Sequence, residues 1–224
     1  MNKKKIFIAI DTNKVLRAKK IIRDTQTNRI KVGYKFGLEF FYSKDGRKFL
    51  SNLKNQTTFL DLKLNDIPNT VSAALKSLKN LKITYLTVHL SSGLNALKVL
   101  KKESKNIKIV GVTTLTSLND KDLREIGYNK SVNDLVVHQA KLAKKAKLDA
   151  IVCSGHEIKS VKRVFNKEII TPGIKMQRMK NDQKRSMKPS EAFAAGSDWL
   201  VIGRSITNGN IKKNIQNLLE ILED

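Results

Sequence analysis

The third apolar run of the sequence ends in charged side chains whose spacing suits acid–base chemistry. Asp61, Lys63 and Asp66 lie within the segment FLDLKLNDIPNT, residues 59–70. Side chains two apart in a strand share a face, so Asp61 and Lys63 are predicted to point the same way. Carboxylates around a lysine favour its charged form, and Lys31, at the predicted end of the preceding strand, adds a second cation. The pattern predicts a protonated lysine that can stabilise negative charge or deliver a proton.

The alternative for this charged group is a structural salt-bridge cluster. Four charges that converge from neighbouring strand ends cost desolvation free energy without a gain in packing, and this favours a functional site. Asp11, Thr116 and Pro172 also follow predicted strands and are further site candidates. His89 ends an apolar strand, where a histidine is more often a hydrogen-bonded structural residue than a base.

A second group of residues, near the C-terminus, has the composition of a phosphate site. Two apolar runs each place a glycine beside a predicted strand end, at Gly173 and Gly203. Gly203 allows a close approach to the backbone, and the guanidinium of Arg204 can bind two phosphate oxygens at once. The strongly basic segment between these runs contains Lys175 and Gln183. It predicts a loop that closes over a bound phosphate.

The elements that must position these groups are eight short runs rich in apolar and β-branched residues. They span residues 6–10, 29–33, 57–62, 83–90, 107–115, 149–153, 168–173 and 198–203. Near-continuous apolar runs are typical of parallel strands covered on both faces. Between them lie amphipathic stretches that predict helices, such as 71–81, 132–146 and 190–196.

Eight strand–helix repeats with right-handed crossovers most simply close into a (β/α)8 TIM barrel. A doubly wound open sheet is the alternative, but the first turn lacks the G-x-G-x-x-G pattern of a dinucleotide site. Without a linker or a composition break, residues 1–224 are predicted to form a single α/β domain. Catalytic groups of such barrels lie at the C-terminal strand ends, which would bring the two groups of candidates together.

The formal charge of +24, from 44 basic and 20 acidic residues, raises the question of a polyanionic partner. Neutralisation of phosphates by lysine and arginine supplies most non-specific nucleic-acid affinity. However, each third of the chain is net positive, no basic arm stands out, and aromatic residues are only 6%, which is little material for base stacking. We expect a lysine-rich solvated surface and no nucleic-acid partner.

The single cysteine, Cys153, excludes an internal disulfide and a cysteine-only zinc site. It is predicted to be a small buried apolar side chain. His138 and His156 lack metal-ligand spacing, and no metal is expected. The apolar run 6–10 is too short for a signal segment, and no apolar stretch of about 18 residues occurs that would predict a membrane span. The sequence therefore predicts a cytoplasmic protein.

The segment DLKLNDIPNTV, residues 61–71, resembles the signature of the orotidine 5'-phosphate decarboxylase family, whose members catalyse the last step of UMP biosynthesis. Further similar segments follow the same order over nearly the whole chain: AID (9–11), KVG (31–33), VHLSSG (88–93), VTTLTS (112–117), VCS (152–154), TPGI (171–174), DQKR (182–185) and VIGRSIT (201–207). The resemblance implies a (β/α)8 barrel that decarboxylates orotidine 5'-monophosphate as a homodimer, without metal or organic cofactor.

The resemblance also implies a role for each candidate residue. Lys31, Asp61, Lys63 and Asp66 would form a catalytic tetrad, with Asp66 supplied by the partner subunit. The binding residues would be Asp11 for the ribose, Thr70 across the dimer beside Ile67, Thr116 at the pyrimidine edge with Ser117 as its alternative, Pro172 in the TPGI segment, and Gln183, Gly203 and Arg204 at the 5'-phosphate. Lys175 stands where bacterial relatives commonly carry arginine, and lysine keeps the charge but loses the bidentate fork.

A magnesium-dependent decarboxylase or aldolase acting on sugar phosphates is the nearest alternative. Such enzymes of the same barrel group share the Asp-x-Lys-x-x-Asp strand, so that core does not discriminate. The residues Ile67 to Thr70, together with the segment around Thr116, favour the pyrimidine enzyme.

Overall fold

The computed structural model describes residues 3–176 and 186–223. Within them, eight parallel strands pair in sequence order, and the eighth pairs with the first. The strands are β1 Lys5–Ile10, β2 Lys31–Phe36, β3 Thr57–Leu64, β4 Tyr85–His89, β5 Lys108–Val112, β6 Ala150–Val152, β7 Glu168–Thr171 and β8 Trp199–Ile202. The predicted (β/α)8 barrel is confirmed, and the open sheet is not formed.

Helices follow the strands and cover the outside of the barrel. They are α1 Val15–Asp24, α2 Leu38–Phe41, α3 Gly46–Asn52, α4 Pro68–Ser77, α5 Gly93–Glu103, α6 Asp120–Glu125, α7 Val132–Lys145, α8 Ile158–Lys162, α9 Pro189–Ala195, α10 Arg204–Thr207 and α11 Ile211–Glu223. The starts of α4 and α7 follow local chemistry, since Pro68 opens α4 and the Ser131 side chain accepts a hydrogen bond from Asp134 N at α7. None of the described helices is long and apolar enough to cross a membrane.

Two apolar layers hold the barrel together. The larger lies between the outward strand faces and the helices, and the smaller fills the barrel interior. Inside, the Phe7 ring stacks on Trp199 with centroids 4.1 Å apart, and the rings of Phe59 and Tyr85 pack around Phe7 at 4.9 and 5.4 Å. Gly33 is required here, because a Cβ atom would lie 2.6 Å from the Phe7 ring. Aromatic rings therefore fill the barrel interior near the N-terminal ends of the strands.

The prediction that Lys31 ends the second strand is wrong. Lys31 is the first residue of β2 and pairs in register with Lys5, the first residue of β1. The strand runs past Gly33 to Phe36, because Gly33 accommodates the Phe7 ring inside the barrel and does not end the strand. With a rise of about 3.3 Å per residue, Lys35 lies about 13 Å nearer the C-terminal end than Lys31.

Candidate active site

The C-terminal end of the barrel opens into a cavity of about 430 Å³. Charged residues from the first three strands line one side of it: Asp11 after β1, Lys35 in β2, and Asp61 and Lys63 in β3. The base is largely apolar and includes Phe59, Val112, Val152 and Cys153. The cavity thus combines apolar walls with a few convergent polar groups, as small-molecule sites do.

Asp61 is the centre of the charged side of the cavity. Its Oδ2 lies 2.9 Å from Lys63 Nζ and 3.5 Å from Lys35 Nζ, and Lys35 Nζ lies 3.5 Å from Asp11 Oδ1. The predicted common face of Asp61 and Lys63 is confirmed by this direct ion pair. The side chains of Asp61 and Lys35 are only 13% and 14% exposed, so solvent screens the attraction between them weakly.

The ionisation of Asp61 follows from this environment. Burial by itself raises the pKa of the carboxyl, but the charges of Lys35 and Lys63 and the hydrogen bonds from Lys63 and Thr87 outweigh burial. The pKa of Asp61 is therefore lowered from its ordinary value. Asp61 is an anion at neutral pH, and its carboxylate forms an ion pair with the Lys63 ammonium beside it.

The backbone at Lys63 departs from regular strand geometry. Lys63 has a φ of 49°, which is uncommon for a residue with a Cβ atom and costs about 1–3 kcal/mol. The pairing of β3 with β4 shifts here, since Leu60 pairs with Leu86 and Leu64 with Val88. This irregularity places the Lys63 ammonium against Asp61 at the cavity wall, and strained residues of this kind cluster at functional sites.

Lys35 occupies the position that was expected for Lys31. Lys31 is exposed at the other end of the barrel, where its Nζ lies 5.7 Å from the centroid of the Trp199 ring. It does not line the cavity. The sequence carried a usable signal for Lys35, because residues 31, 33 and 35 share one face of β2 and the apolar residues Tyr34 and Phe36 extend the strand beyond Gly33.

Asp66, Ile67 and Thr70 lie outside this cavity. All three are exposed after the end of β3, and Asp66 Oδ1 accepts a hydrogen bond of 2.7 Å from Ile67 N. The preceding residue, Asn65, is held by Ser92, whose Oγ lies 2.9 Å from Asn65 Oδ1. Within one chain, Asp66 is therefore not part of the charge cluster around Lys63.

The rest of the cavity lining brings together most of the other candidates. Thr116, Pro172, Lys175, Gly203 and Arg204 all line it. Ser117 is exposed and does not line the cavity. Gln183 lies outside the described residues.

Two sets of contacts position this part of the lining. Gln139 on α7 accepts hydrogen bonds at its Oε1 from Thr114 N and Thr114 Oγ1, at 2.8 and 3.2 Å, and so fixes the loop that leads to Thr116. Around Arg204, Arg17 donates to the carbonyl of Thr207, and Asn214 Nδ2 donates to that of Ile206 at 3.0 Å. Residues from distant parts of the sequence thus hold the wall in place.

The basic segment after β7 is joined at its base by backbone hydrogen bonds. Lys175 N donates to Met187 O at 3.1 Å, and Met187 N donates to Gly173 O at 3.3 Å. The two ends of the segment are therefore held beside each other, and Gly173 and Lys175 at its first end line the same cavity as Gly203 and Arg204.

Cys153 has the buried position predicted for it, and His89 lies outside the cavity. Cys153 is fully buried, and burial raises the pKa of its thiol far above the ordinary value. His89 is half-buried at the end of β4 and does not line the cavity. Burial and the nearby Lys63 charge lower the pKa of His89, with Asp61 opposing them, so the imidazole is neutral at pH 7.

Comparison with known proteins points to one family. The model of the orotidine 5'-phosphate decarboxylase / HUMPS family matches residues 4–214. The chain is 41% identical over 221 residues to the orotidine 5'-phosphate decarboxylase of Wolbachia sp. subsp. Brugia malayi (strain TRS), with 96% of each chain covered. It is 41% identical to the enzyme of the same name from Wolbachia pipientis subsp. Culex pipiens (strain wPip), covering 98% of this chain and 99% of the relative.

A solved structure gives the same result. The crystal structure of orotidine 5'-phosphate decarboxylase from Lactobacillus acidophilus superposes with a TM-score of 0.83 at 29% identity. The superposition covers 97% of this chain and 98% of the other. Likeness of sequence and likeness of fold therefore extend over almost the full length.

Proposed function

The chain belongs to the orotidine 5'-phosphate decarboxylase / HUMPS family, and from that premise we propose that it decarboxylates orotidine 5'-monophosphate to UMP and CO2. The observation that carries the proposal is the Lys63 ammonium, held 2.9 Å from an ionised Asp61 at the wall of the cavity. The reaction needs a cation at the carbon that loses CO2, because the electron pair left there has no acceptor within the ring. Lys63 supplies that cation.

Lys63 serves both halves of the reaction. When the bond between C6 and the carboxylate carbon breaks, its electron pair stays on C6, and the ammonium stabilises the negative charge as it develops. Lys63 then transfers a proton to C6, which forms the C–H bond of UMP, and regains a proton from solvent. No metal or organic cofactor takes part in the proposed reaction.

Asp11 and Lys35 bind the ribose hydroxyls in the proposed complex. Both line the cavity on the side of Asp61 and are linked by the 3.5 Å contact between Lys35 Nζ and Asp11 Oδ1. Lys35 takes the role that the resemblance gave to Lys31, since it contacts Asp61. Thr116, which also lines the cavity, contacts the edge of the pyrimidine.

The 5'-phosphate binds at the rim formed by Gly203, Arg204 and Lys175, with Gln183 as a further proposed contact. Arg204 and Lys175 give this rim the positive charge that a phosphate requires. Contacts to the phosphate, which is remote from C6, supply binding energy that positions the ring for reaction. Pro172 shapes the adjoining wall.

A homodimer completes the site in this proposal. Asp66 and Thr70 are exposed outside their own cavity, where a partner subunit can accept them. Large apolar side chains are exposed in the segments that follow the adjacent strands β2 and β3: Leu38 at 45%, Tyr42 at 76% and Ile67 at 65%. Burial of such side chains against a second copy is favourable, and it would carry Asp66 and Thr70 to the partner's cavity.

Mixing two inactive variants tests the shared site. In a dimer of Lys63→Ala and Asp66→Asn chains, one site carries both changes and the other carries neither if Asp66 acts across the interface. Random mixing then restores about a quarter of wild-type activity per subunit. If both residues act within one chain, every site carries a change, and the absence of restored activity would contradict the shared site.

The direct test of the reaction is the loss of orotidine 5'-monophosphate absorbance in the presence of EDTA. We expect turnover to UMP that the chelator does not change. Loss of turnover on chelation, restored by Mg²⁺, would instead support the magnesium-dependent sugar-phosphate enzyme. The names of the similar proteins favour the pyrimidine enzyme. The cytoplasmic location and the absence of a nucleic-acid partner stay predictions from the sequence.

A further inference from the structure

Thr87 lies directly behind the charge cluster without reaching the cavity. It belongs to β4, is fully buried, and does not line the cavity. Its hydroxyl makes two contacts at once. Thr87 Oγ1 accepts a hydrogen bond of 2.7 Å from Lys63 N and donates one of 3.2 Å to Asp61 Oδ1.

The position of Thr87 in the sheet explains why both bonds form. Leu60 of β3 pairs with Leu86 of β4, and Leu64 pairs with Val88. Residues 61–63 of β3 therefore lie opposite the single residue Thr87 of β4. Such a bulge leaves backbone groups without a ladder partner, and a buried N–H without a partner is costly. The hydroxyl of Thr87 replaces the missing ladder partner of Lys63 and stabilises its left-handed φ of 49°.

The second bond acts on the charge that faces Lys63. The carboxylate of Asp61 receives Lys63 Nζ at Oδ2 and Thr87 Oγ1 at Oδ1, so each oxygen has its own donor. With both oxygens bonded, rotation of the carboxylate would break one contact or the other. Thr87 therefore sets the orientation of Asp61 and the backbone of Lys63 through one atom.

We propose that Thr87 is a positioning residue for the decarboxylation, holding Asp61 and Lys63 in their reactive arrangement. It acts only through those two residues and contacts no substrate. Binding of the nucleotide, which relies on the phosphate rim and the ribose contacts, is unaffected, whereas the chemical step depends on the placement of the Lys63 ammonium. This inference rests on the proposed function.

The test compares Thr87→Val, which keeps the shape but removes the hydroxyl, with Thr87→Ser, which keeps the hydroxyl. We expect Thr87→Val to lower kcat about 10- to 100-fold, the effect of losing a hydrogen bond to a charged group, with KM within about threefold of wild type because Thr87 lies outside the cavity. Thr87→Ser should retain most of kcat. The hydrogen bond from Thr87 lowers the pKa of Asp61, so its removal should raise that pKa. The acidic limb of the kcat/KM profile should therefore move to higher pH in Thr87→Val.

Thr25→Val is the matched control. Thr25 is also fully buried, and its hydroxyl donates to Ile21 O at 2.7 Å, at the end of α1 and away from the cavity. It should lower the melting temperature but leave kcat unchanged. If Thr87→Val does not fold, Thr87→Cys, which has a weaker hydrogen-bonding group, replaces it in the test. Its kcat should lie between that of wild type and the value expected for Thr87→Val.

Three results would overturn the inference. The first is wild-type kcat in Thr87→Val, and the second is an equal loss of kcat in Thr87→Val and Thr87→Ser. The third is a loss of kcat in Thr25→Val as well, with kcat falling in proportion to melting temperature in both variants. An inactive wild-type enzyme would overturn the proposed function itself, whereas an active wild type with an unaffected Thr87→Val overturns this inference alone.

Discussion

The two ends of the barrel carry ion clusters of similar composition in different surroundings. At the C-terminal end, Asp61 contacts two lysines beside an open cavity. At the N-terminal end, Glu168 Oε2 accepts hydrogen bonds of 2.9 Å from both Lys108 Nζ and Tyr85 Oη. Lys5 approaches the same carboxylate at 3.8 Å. Composition alone does not separate the two clusters.

Geometry separates them. Lys5, Tyr85, Lys108 and Glu168 are the first residues of their strands and lie next to the stacked rings of Phe7 and Trp199, which fill the barrel above them. The C-terminal cluster instead lies beside a cavity and contains a lysine with left-handed backbone. A cluster of charges therefore indicates a site when space for a ligand and local strain accompany it.

The largest expected difference between the ends comes from removing one lysine at each. Lys63→Ala should lower kcat by about 10⁴-fold or more, because it removes both charge stabilisation and the proton donor. Lys108→Ala, at the other end, should leave kcat within about twofold of wild type. Turnover of orotidine 5'-monophosphate measures both, with circular dichroism as the check on folding. Near wild-type turnover of Lys63→Ala would disprove its role as proton donor.

The next comparison uses two lysines of one strand. Lys35→Ala should lower kcat/KM by about 10²- to 10³-fold, because Lys35 contacts both Asp11 and Asp61 in the cavity. Lys31→Ala changes the same residue type at the opposite end of β2 and should have little effect. The reverse order of these two effects would restore the original prediction for Lys31 and contradict the register of β2.

The N-terminal cluster should affect stability rather than activity. Glu168→Gln removes the charge that Lys108 and Tyr85 share and should lower the free energy of unfolding by about 1–3 kcal/mol. Urea unfolding measures this loss, and kcat of the folded variant should equal that of wild type. A selective loss of kcat would show that the two ends are coupled through the barrel.

The smallest effect concerns alkaline pH. Burial, together with the charge of Glu168, raises the pKa of Tyr85 to about 12, above the ordinary value of about 10. The unfolded chain releases this proton at lower pH than the folded one, so the contribution of Tyr85 is complete below pH 10 and is lost as pH rises towards 12. Tyr85→Phe should make the fall in stability between pH 10 and 12 shallower. Urea unfolding at several pH values measures the free energy of unfolding in both proteins. The same pH dependence in Tyr85→Phe and wild type would contradict the contribution assigned to Tyr85.

Much of the fold and part of the site follow from local patterns. The eight apolar runs predicted the strands of the barrel, because buried parallel strands are marked by their own residues. The common face of Asp61 and Lys63 followed from the strand period of two. Thr116, Pro172, Lys175, Gly203 and Arg204 reached the cavity as predicted, since the C-terminal ends of parallel strands meet at one end of a barrel.

The remaining features depend on pairing between strands that are distant in sequence. The choice of Lys35 over Lys31 is decided by where β2 pairs with β1, and Gly33 ended the predicted strand too early because its contact with Phe7 is not visible in the sequence. The bulge at Lys63 and its bond to Thr87 exist only where β3 meets β4. The cluster around Glu168 likewise joins residues of four strands.

The sequence by itself determined the order of the strands, the family resemblance and the Asp61–Lys63 pair, because these depend on residue type and short spacing. The tertiary structure decided which lysine joins that pair, which residues stand behind it and which charge cluster faces a cavity. The physical reason is register, because barrel closure and the packing of rings such as Phe7 and Trp199 set how far each strand advances towards the C-terminal end.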